Sequence, residues 1–275
     1  MKIAITGSDG YIGSVLAEKL KDSNHDIHLM DINNWDITTT PMKDGLIHHW
    51  FSFDVVVHLA ALVKVGESVN KPWDYYNTNI NGTQKIITHF PNAKIIFAST
   101  GAAFDLESPY AKSKAAAEDL IRNQCKEYTI FRFFNVGGRI PSNPEGLYAA
   151  TINACKSGTL TIFGNDYDTK DGTCVRDYVH VMDLADAHIK SLNYASYNKV
   201  AEVFNLGSGA PASNKELLET VQKHTGKMNI EIHSNRPGDP AYLVADISKV
   251  KRILEWEPTQ SSIDNVVATA LKWYN

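Results

Sequence analysis

A tyrosine and a lysine four residues apart, in Ser108-Pro109-Tyr110-Ala111-Lys112-Ser113-Lys114, are the pair in this chain best suited to moving a proton. Ser108 reads as a helix N-cap and Pro109 as the first helical residue. Ala115-Ala116-Ala117-Glu118 carries the helix on, so the phenol and the ammonium share one face. A free tyrosine titrates near pH ~10 and is a poor base in neutral water. A neighbouring cation and a helix N-terminus both favour the phenolate, which would let Tyr110 take a proton from a hydroxyl near neutral pH. The same spacing also suits a half-buried tyrosine beside a solvated lysine, so the surrounding elements must decide.

The first of those elements is at the N-terminus. Lys2-Ile3-Ala4-Ile5-Thr6 is a short β-branched run that enters Gly7-Ser8-Asp9-Gly10-Tyr11-Ile12-Gly13, followed by Val15, Leu16, Lys19 and Leu20 at helical spacing. Strand, glycine turn and helix in that order cradle a pyrophosphate, because glycines let the backbone approach it and the N–H groups opening the helix favour its charge. The spacing is Gly-x-x-Gly-x-x-Gly. A second strand, Asp26 to Met30, ends at Asp31, eighteen residues after Gly13, where an acid can bond the ribose hydroxyls of an adenosine. Ile32-Asn33-Asn34 follow with no arginine, so a 2′-phosphate would meet negative charge, and NAD is expected over NADP.

Strands and helices then alternate: Asp54 to His58, a helical pattern from Pro72 to Phe90, a strand from Lys94 to Ser99, the helix from Ser108, and a strand from Tyr128 to Phe134. This order predicts an α/β fold, a Rossmann-like doubly wound parallel sheet whose ligands lie at the carboxyl ends of the strands. Thr100, Tyr110 and Asn135 fall at or just beyond such ends. From Ile140 the chain becomes richer in loops, with helices such as 184–193 and 215–225, which reads as a smaller C-terminal substrate-binding cap. The expected division is residues 1–139, with a later return of about 176–206, and 140–275.

With 275 residues and 43% hydrophobic content the chain can bury a large core. A formal net charge of −4 without a basic run argues against nucleic acid as a partner. The longest apolar stretch, 55–63, is far too short to span a membrane, and Lys2 leads straight into a strand, so a cytoplasmic protein is expected. Cys125, Cys155 and Cys174 are scattered and suit free thiols, not a disulfide framework. The ten histidines show no metal-ligand spacing, and His48-His49 reads as a solvated helix end, so no metal site is expected.

The glycine loop with Tyr11-Ile12, His58-Leu59-Ala60-Ala61, Val65-Gly66-Glu67-Ser68 with Lys71-Pro72, Asn79-Ile80-Asn81-Gly82-Thr83, and Tyr110 with Lys114 resemble the extended short-chain dehydrogenases that act on nucleotide sugars. Phe163-Gly164-Asn165-Asp166-Tyr167, Asp171-Gly172-Thr173, the run Val175-Arg176-Asp177-Tyr178 to Asp186, Asn205 to Gly209 and Arg236-Pro237-Gly238-Asp239 narrow this. They are similar to the UDP-glucose (UDP-galactose) 4-epimerases, and the resemblance covers nearly the whole chain.

The resemblance implies an isomerase, with NAD as cofactor, a UDP-hexose as substrate and a homodimer as the assembly. It implies NAD contacts from Gly7, Gly10, Tyr11, Ile12 and Gly13 at the pyrophosphate, Asp31 at the ribose, and Asp36 and Ile37 at the adenine. His58, Leu59, Ala60, Ala61 and Asn79 would line the nicotinamide half. Thr100 stands at the position of the family's catalytic hydroxyl, Tyr110 at that of its base, and Lys114 at that of the lysine that binds the nicotinamide ribose. Asn135, Phe163, Arg176, Tyr178, Arg236 and Asp239 match positions that hold UDP. Aromatic faces can stack on uracil and arginines can take a diphosphate by paired N–H bonds. For Tyr178 and Asp239, a packed ring and a surface turn remain competing readings. Leu243 matches a position beside the C2 substituent of the sugar, with Tyr242 as the alternative after a one-residue slip.

Two departures mark a shortened member. About eighteen residues separate Asp36 from Asp54, fewer than the usual strand and helix need, and only five lie between Phe104 and Tyr110. Another nucleotide-sugar epimerase, a dehydratase or a reductase remains an alternative, although Gly101-Ala102 follow Thr100 where a dehydratase of this superfamily carries acids. A non-catalytic nucleotide-sensing protein is the alternative from a different class. It is disfavoured by the presence of Thr100, Tyr110 and Lys114 together.

Overall fold

The β-branched runs and the helical periods of the sequence each become an element of the computed structural model. The model describes residues 1–39, 52–104, 106–139, 146–226, 228–235 and 240–272, and within 146–157 the side chains of 148, 150–152, 154 and 155. In chain order the first elements are β1 (Lys2–Thr6), α1 (Tyr11–Leu20), β2 (Asp26–Met30), β3 (Val55–His58), α2 (Val65–Asn70), α3 (Pro72–Tyr75), α4 (Gly82–His89), β4 (Lys94–Thr100), α5 (Pro109–Gln124) and β5 (Tyr128–Phe133). After them come β6 (Asn135–Gly137), α6 (Gly146–Ser157), β7 (Thr159–Phe163), β8 (Val175–His180), α7 (Val181–Tyr197), β9 (Ala201–Leu206), β10 (Pro211–Ser213), α8 (Asn214–Thr225), β11 (Asn229–His233), β12 (Tyr242–Leu243), α9 (Ser248–Leu254) and α10 (Ile263–Lys272).

Six strands form one sheet in the order β2-β1-β3-β4-β5-β9. β1 pairs in parallel with both β2 and β3, and β3 in parallel with β4. Ile3, Ile5 and Val55 to Val57 are fully buried, as expected of strands covered on both faces. The chain steps from β1 to β2 on one side and resumes at β3 on the other. That makes a switch point whose carboxyl ends carry Gly7, Asp31 and Leu59.

Two stretches differ from what periodicity predicts. The helical pattern from Pro72 to Phe90 is broken by a π-helical segment, Tyr76–Asn81, between α3 and α4. The wider turn is offset by the Asn79 side chain, which is buried and bonds both backbone groups of Leu62 as well as Ser113. Between β4 and α5 the short link is a 3₁₀ turn, Gly101–Phe104, followed by Leu106 at φ 55°, a left-handed conformation that costs a leucine about 1–2 kcal/mol. Ser108 then caps α5, its hydroxyl accepting from the Ala111 N–H at 3.1 Å.

The contacts group Met1–Arg132 with Ala185–Phe204 as one compact unit, and Phe133–Leu184 with Asn205–Asn275 as a second. This differs from a division at 139/140 with a return of 176–206. The physical reason is strand pairing: β6 pairs with β8, so residues 135–137 and 175–180 belong together. Within the second unit β8 also carries β10 and β12, while β7 pairs in parallel with β11. Asp183, in the first turn of α7, accepts from the backbone of Thr259 and Gln260 and from the Ser261 hydroxyl, which anchors the segment after Trp256.

Cys125 and Cys155 are half-buried and Cys174 is buried, all as free thiols. Among the described residues no group of His, Cys, Asp or Glu could hold a metal, and no helix is long and apolar enough to cross a membrane. His48 and His49 lie outside the described residues.

Candidate active site

At the carboxyl ends of β1, β2 and β3 the first unit holds a cavity of ≈ 620 Å³. Eight residues expected at the cofactor line it: Gly7, Gly10, Asp31, Asp36, Ile37, Leu59, Ala60 and Ala61. The glycines leave room that no other residue would. Gly7 has φ 71°, and a Cβ there would lie 2.7 Å from the Ala60 nitrogen; one on Gly13 would lie 2.1 Å from the Gly7 oxygen. Asp31 is held by the N–H groups of Asp9 (2.9 Å) and Ile32 (2.8 Å), which orients its carboxylate beside the loop. Asp9, Asp36 and Asp74 also line the cavity, and none of its described lining residues is basic. A glycine cradle with that charge fits a dinucleotide without a 2′-phosphate. Tyr11, Ile12, Gly13, His58 and Asn79 are not among the lining residues.

His58 lies beneath the lining, in a directional chain of hydrogen bonds. The Thr83 hydroxyl donates to the Asn79 carbonyl (2.7 Å), so it accepts from His58 Nε2–H (3.0 Å). His58 Nδ1 accepts from the Thr6 hydroxyl (2.8 Å), whose oxygen accepts the Ala60 N–H (3.3 Å). Burial, aided by the Lys114 charge, pushes the His58 pKa down to about 3, so the ring is neutral and acts as a strut between the ends of β1 and β3. Asn79 is a strut of the same kind, with its polar atoms committed to Leu62 and Ser113.

Thr100 ends β4, and Tyr110 and Lys114 lie one turn apart at the start of α5. The Thr100 oxygen accepts the Ala102 N–H (3.2 Å) while its side chain hydrogen-bonds Tyr110, so the threonine proton is free to point at the phenol. The Tyr110 ring meets Tyr75 edge-on at 6.4 Å. Lys114 is only 3% exposed, its ammonium 4.1 Å from the centre of the Phe97 ring.

The electrostatics correct one expectation. Desolvation pushes Tyr110 up to about 12 and outweighs the Thr100 hydrogen bond, so lysine and helix do not by themselves make the phenol acidic. Burial likewise pulls Lys114 down to about 7, opposed by the charge of Glu118. The charge on Lys114 is therefore the sensitive quantity in this site.

In the second unit Arg176 lies on β8, its Nη1 donating to the carbonyls of Val175 (2.9 Å) and Pro240 (2.8 Å). Leu243 on β12 is directly opposite it in register, and the alternative Tyr242 is exposed. Asn135 begins β6, opposite Tyr178. Phe163 ends β7 with its ring 5.7 Å from that of His233. Tyr178 is 3% exposed and packs with Tyr148, Ile152 and Val266, a core ring instead of an open stacking face. Arg236 and Asp239 lie outside the described residues.

Two buried carboxylates, Asp177 and Glu118, have no site role in the sequence reading. Asp177 accepts from Ser208 (N 2.5 Å, Oγ 2.6 Å), Gly209 N and Ala245 N (both 3.2 Å), holding loop and strand around Arg176. A Cβ on Gly207 would lie 2.3 Å from that carboxylate. Glu118, four residues after Lys114, takes Ser99, Arg122 and Arg132. Helical spacing from Tyr110 and Lys114 would have pointed to Glu118. Nothing in the pattern around Asp177 separates it from the residues on either side.

Residues 3–207 match the NAD dependent epimerase/dehydratase family. The UDP-glucose 4-epimerase of Lactobacillus helveticus is 34% identical over 321 aligned positions, covering 100% of this chain and 97% of that protein. A crystal structure of the Bifidobacterium longum UDP-glucose 4-epimerase in complex with NAD+ and UDP superposes with a TM-score of 0.82 at 29% identity, over 99% of this chain and 98% of that one. The structure of the UDP-Glc/GlcNAc 4-epimerase of Campylobacter jejuni gives 0.81 at 29% identity, with the same coverage.

Proposed function

The chain belongs to the NAD dependent epimerase/dehydratase family, and we propose that it interconverts UDP-glucose and UDP-galactose at C4 through a 4-keto sugar. The observation that carries this reading is Tyr110 bonded to Thr100, with a buried lysine one helical turn on. In the first unit that trio accompanies a glycine cradle and a cavity suited to NAD.

Gly7, Gly10 and Gly13 allow the pyrophosphate close to the backbone, and Asp31 takes the adenosine ribose hydroxyls. Bound NAD supplies the hydride acceptor and a positive ring. Tyr110, as its phenolate, takes the proton of the sugar 4-hydroxyl and becomes the neutral phenol; before that step the Thr100 proton stabilises the phenolate charge. Lys114 in its cationic form lowers the cost of that phenolate. Arg176 and Arg236 would hold the diphosphate, which would leave the sugar free to turn over and present its other face. Phe163 offers a ring to the uracil. Asn135, Tyr178 and Asp239 complete the proposed UDP contacts, Tyr178 through its hydroxyl alone.

Leu243, intermediate in size and beside Arg176, suits a site that accepts plain hexoses well and N-acetylated ones slowly. A cytoplasmic homodimer completes the reading. Purified protein should convert UDP-galactose to UDP-glucose with its own bound NAD and no net NADH. Absence of conversion by NAD-loaded protein, or a requirement for NADPH, contradicts it.

A further inference from the structure

Tyr110, Lys114 and Glu118 stand at successive turns of α5, and the last two are buried, at 3% and 1% exposure. Glu118 is saturated with donors. Its Oε1 accepts from the Ser99 hydroxyl (2.5 Å) and Arg132 Nε (2.8 Å), and its Oε2 from Arg132 Nη2 (2.6 Å) and Arg122 Nη2 (2.8 Å). Four donors on two oxygens is the full bonding of an ionised carboxylate.

Two of its three partners lead back toward the reacting groups. Ser99 immediately precedes Thr100 on β4. Arg132, on β5, lies with its guanidinium 4.3 Å from the centre of the Phe104 ring, in the turn that follows Thr100. One carboxylate thus ties the strand that presents Thr100 to the helix that presents Tyr110 and Lys114. Among the described residues, Lys114 lies over the Phe97 ring from β4 and interacts electrostatically with Glu118 on its own helix and with the neutral His58 from β3. Glu118 is the only anion among them. Without it, the guanidinium groups of Arg122 and Arg132 would lose the buried anion they share.

We infer that Glu118 is a positioning residue for proton transfer, whose carboxylate keeps Lys114 cationic and fixes the Thr100 end of β4 against α5. The inference rests on the roles proposed for Tyr110 and Lys114. Its sign follows from electrostatics: burial already pulls Lys114 down to about 7 and Glu118 opposes that, so removing the negative charge makes Lys114 lose its proton at lower pH.

The test is an NMR titration of Lys114, assigned by Lys114→Arg in protein carrying ¹³Cε-labelled lysine, beside the pH profile of kcat. Glu118→Gln should move the Lys114 midpoint down by about one pH unit or more. The alkaline limb of kcat should move with it, and kcat at pH 8 should fall roughly tenfold with KM within about threefold. Glu118→Asp draws the carboxylate back by one methylene and should move the midpoint down by less; it serves as the deciding variant if Glu118→Gln does not fold. A Lys114 midpoint that stays within about 0.3 unit in every variant that folds overturns the inference, even if melting temperatures fall. The titration needs no turnover, so an inactive wild-type protein would contradict the proposed function while leaving this result readable.

Discussion

Tyr110 works against its own surroundings. Held near 12 by desolvation, it has the Thr100 proton as its nearest aid, and Lys114 helps only to the extent that it stays charged. Positive charge beside the phenol, such as that of Lys114, is what brings a phenolate closer to neutral pH. Replacing Tyr110 by Phe removes only the hydroxyl. It should leave the fold and NAD content unchanged while activity falls by about 10²–10⁴, the usual range for losing acid-base help, as read by coupled assay and by NAD released on denaturation. A variant within threefold of wild type would remove Tyr110 from the chemistry. His58 gives a stability prediction of definite sign. Its folded pKa of about 3 lies below the ordinary value of 6.5, so the unfolded chain takes up the proton first as pH falls. Its contribution is complete above pH 6.5 and is lost on the way down to 3, amounting to about 3 kcal/mol at pH 4 relative to pH 7. Urea unfolding should show wild type losing that much more stability than His58→Gln over the interval, and parallel curves for the two proteins would contradict the buried neutral ring.

The elements most legible in the sequence are those whose signals are local. β1, the glycine loop and α1 follow from three glycines and one change of period, and the start of α5 from Ser108 and Pro109. What stayed hidden depends on partners distant in sequence. The π-helical segment exists because Asn79 finds Leu62 and Ser113, and no helical period encodes that. Tyr178 alternates along β8 like a site residue, yet the ring falls on the core side, and Asp177 beside it carries the loop contacts. The edge position of β12 likewise follows from pairing: its two residues lie along β8, with Leu243 opposite Arg176. If that strand borders the sugar C2 substituent, Leu243→Tyr should lower kcat/KM for UDP-N-acetylhexosamines more than for UDP-glucose and UDP-galactose. Steady-state rates for both substrate pairs in both proteins decide this, and an unchanged ratio would move the discriminating position elsewhere, with Tyr242 next to examine.

At the scale of the whole molecule the chain is a shortened epimerase. The alignment with the Lactobacillus helveticus enzyme spans 321 positions against 275 residues here, so this chain lacks counterparts at 46 or more of them. Among the described residues β2 is the edge of the main sheet, and a short turn with a left-handed Leu106 links β4 to α5. The glycine cradle, Asp31, Thr100, Tyr110 and Lys114, the groups proposed to bind NAD and to oxidise and re-reduce one carbon, are all present in the shorter chain. In the proposed reaction a hydride leaves C4 and returns to it without exchanging with water, and the cofactor ends each cycle as it began. Converting UDP-[4-²H]galactose with the purified protein in ordinary water measures this directly. The deuterium should be retained at C4 of the UDP-glucose formed, with no net NADH; substantial loss of label to solvent, or one NADH formed per sugar, would contradict the account.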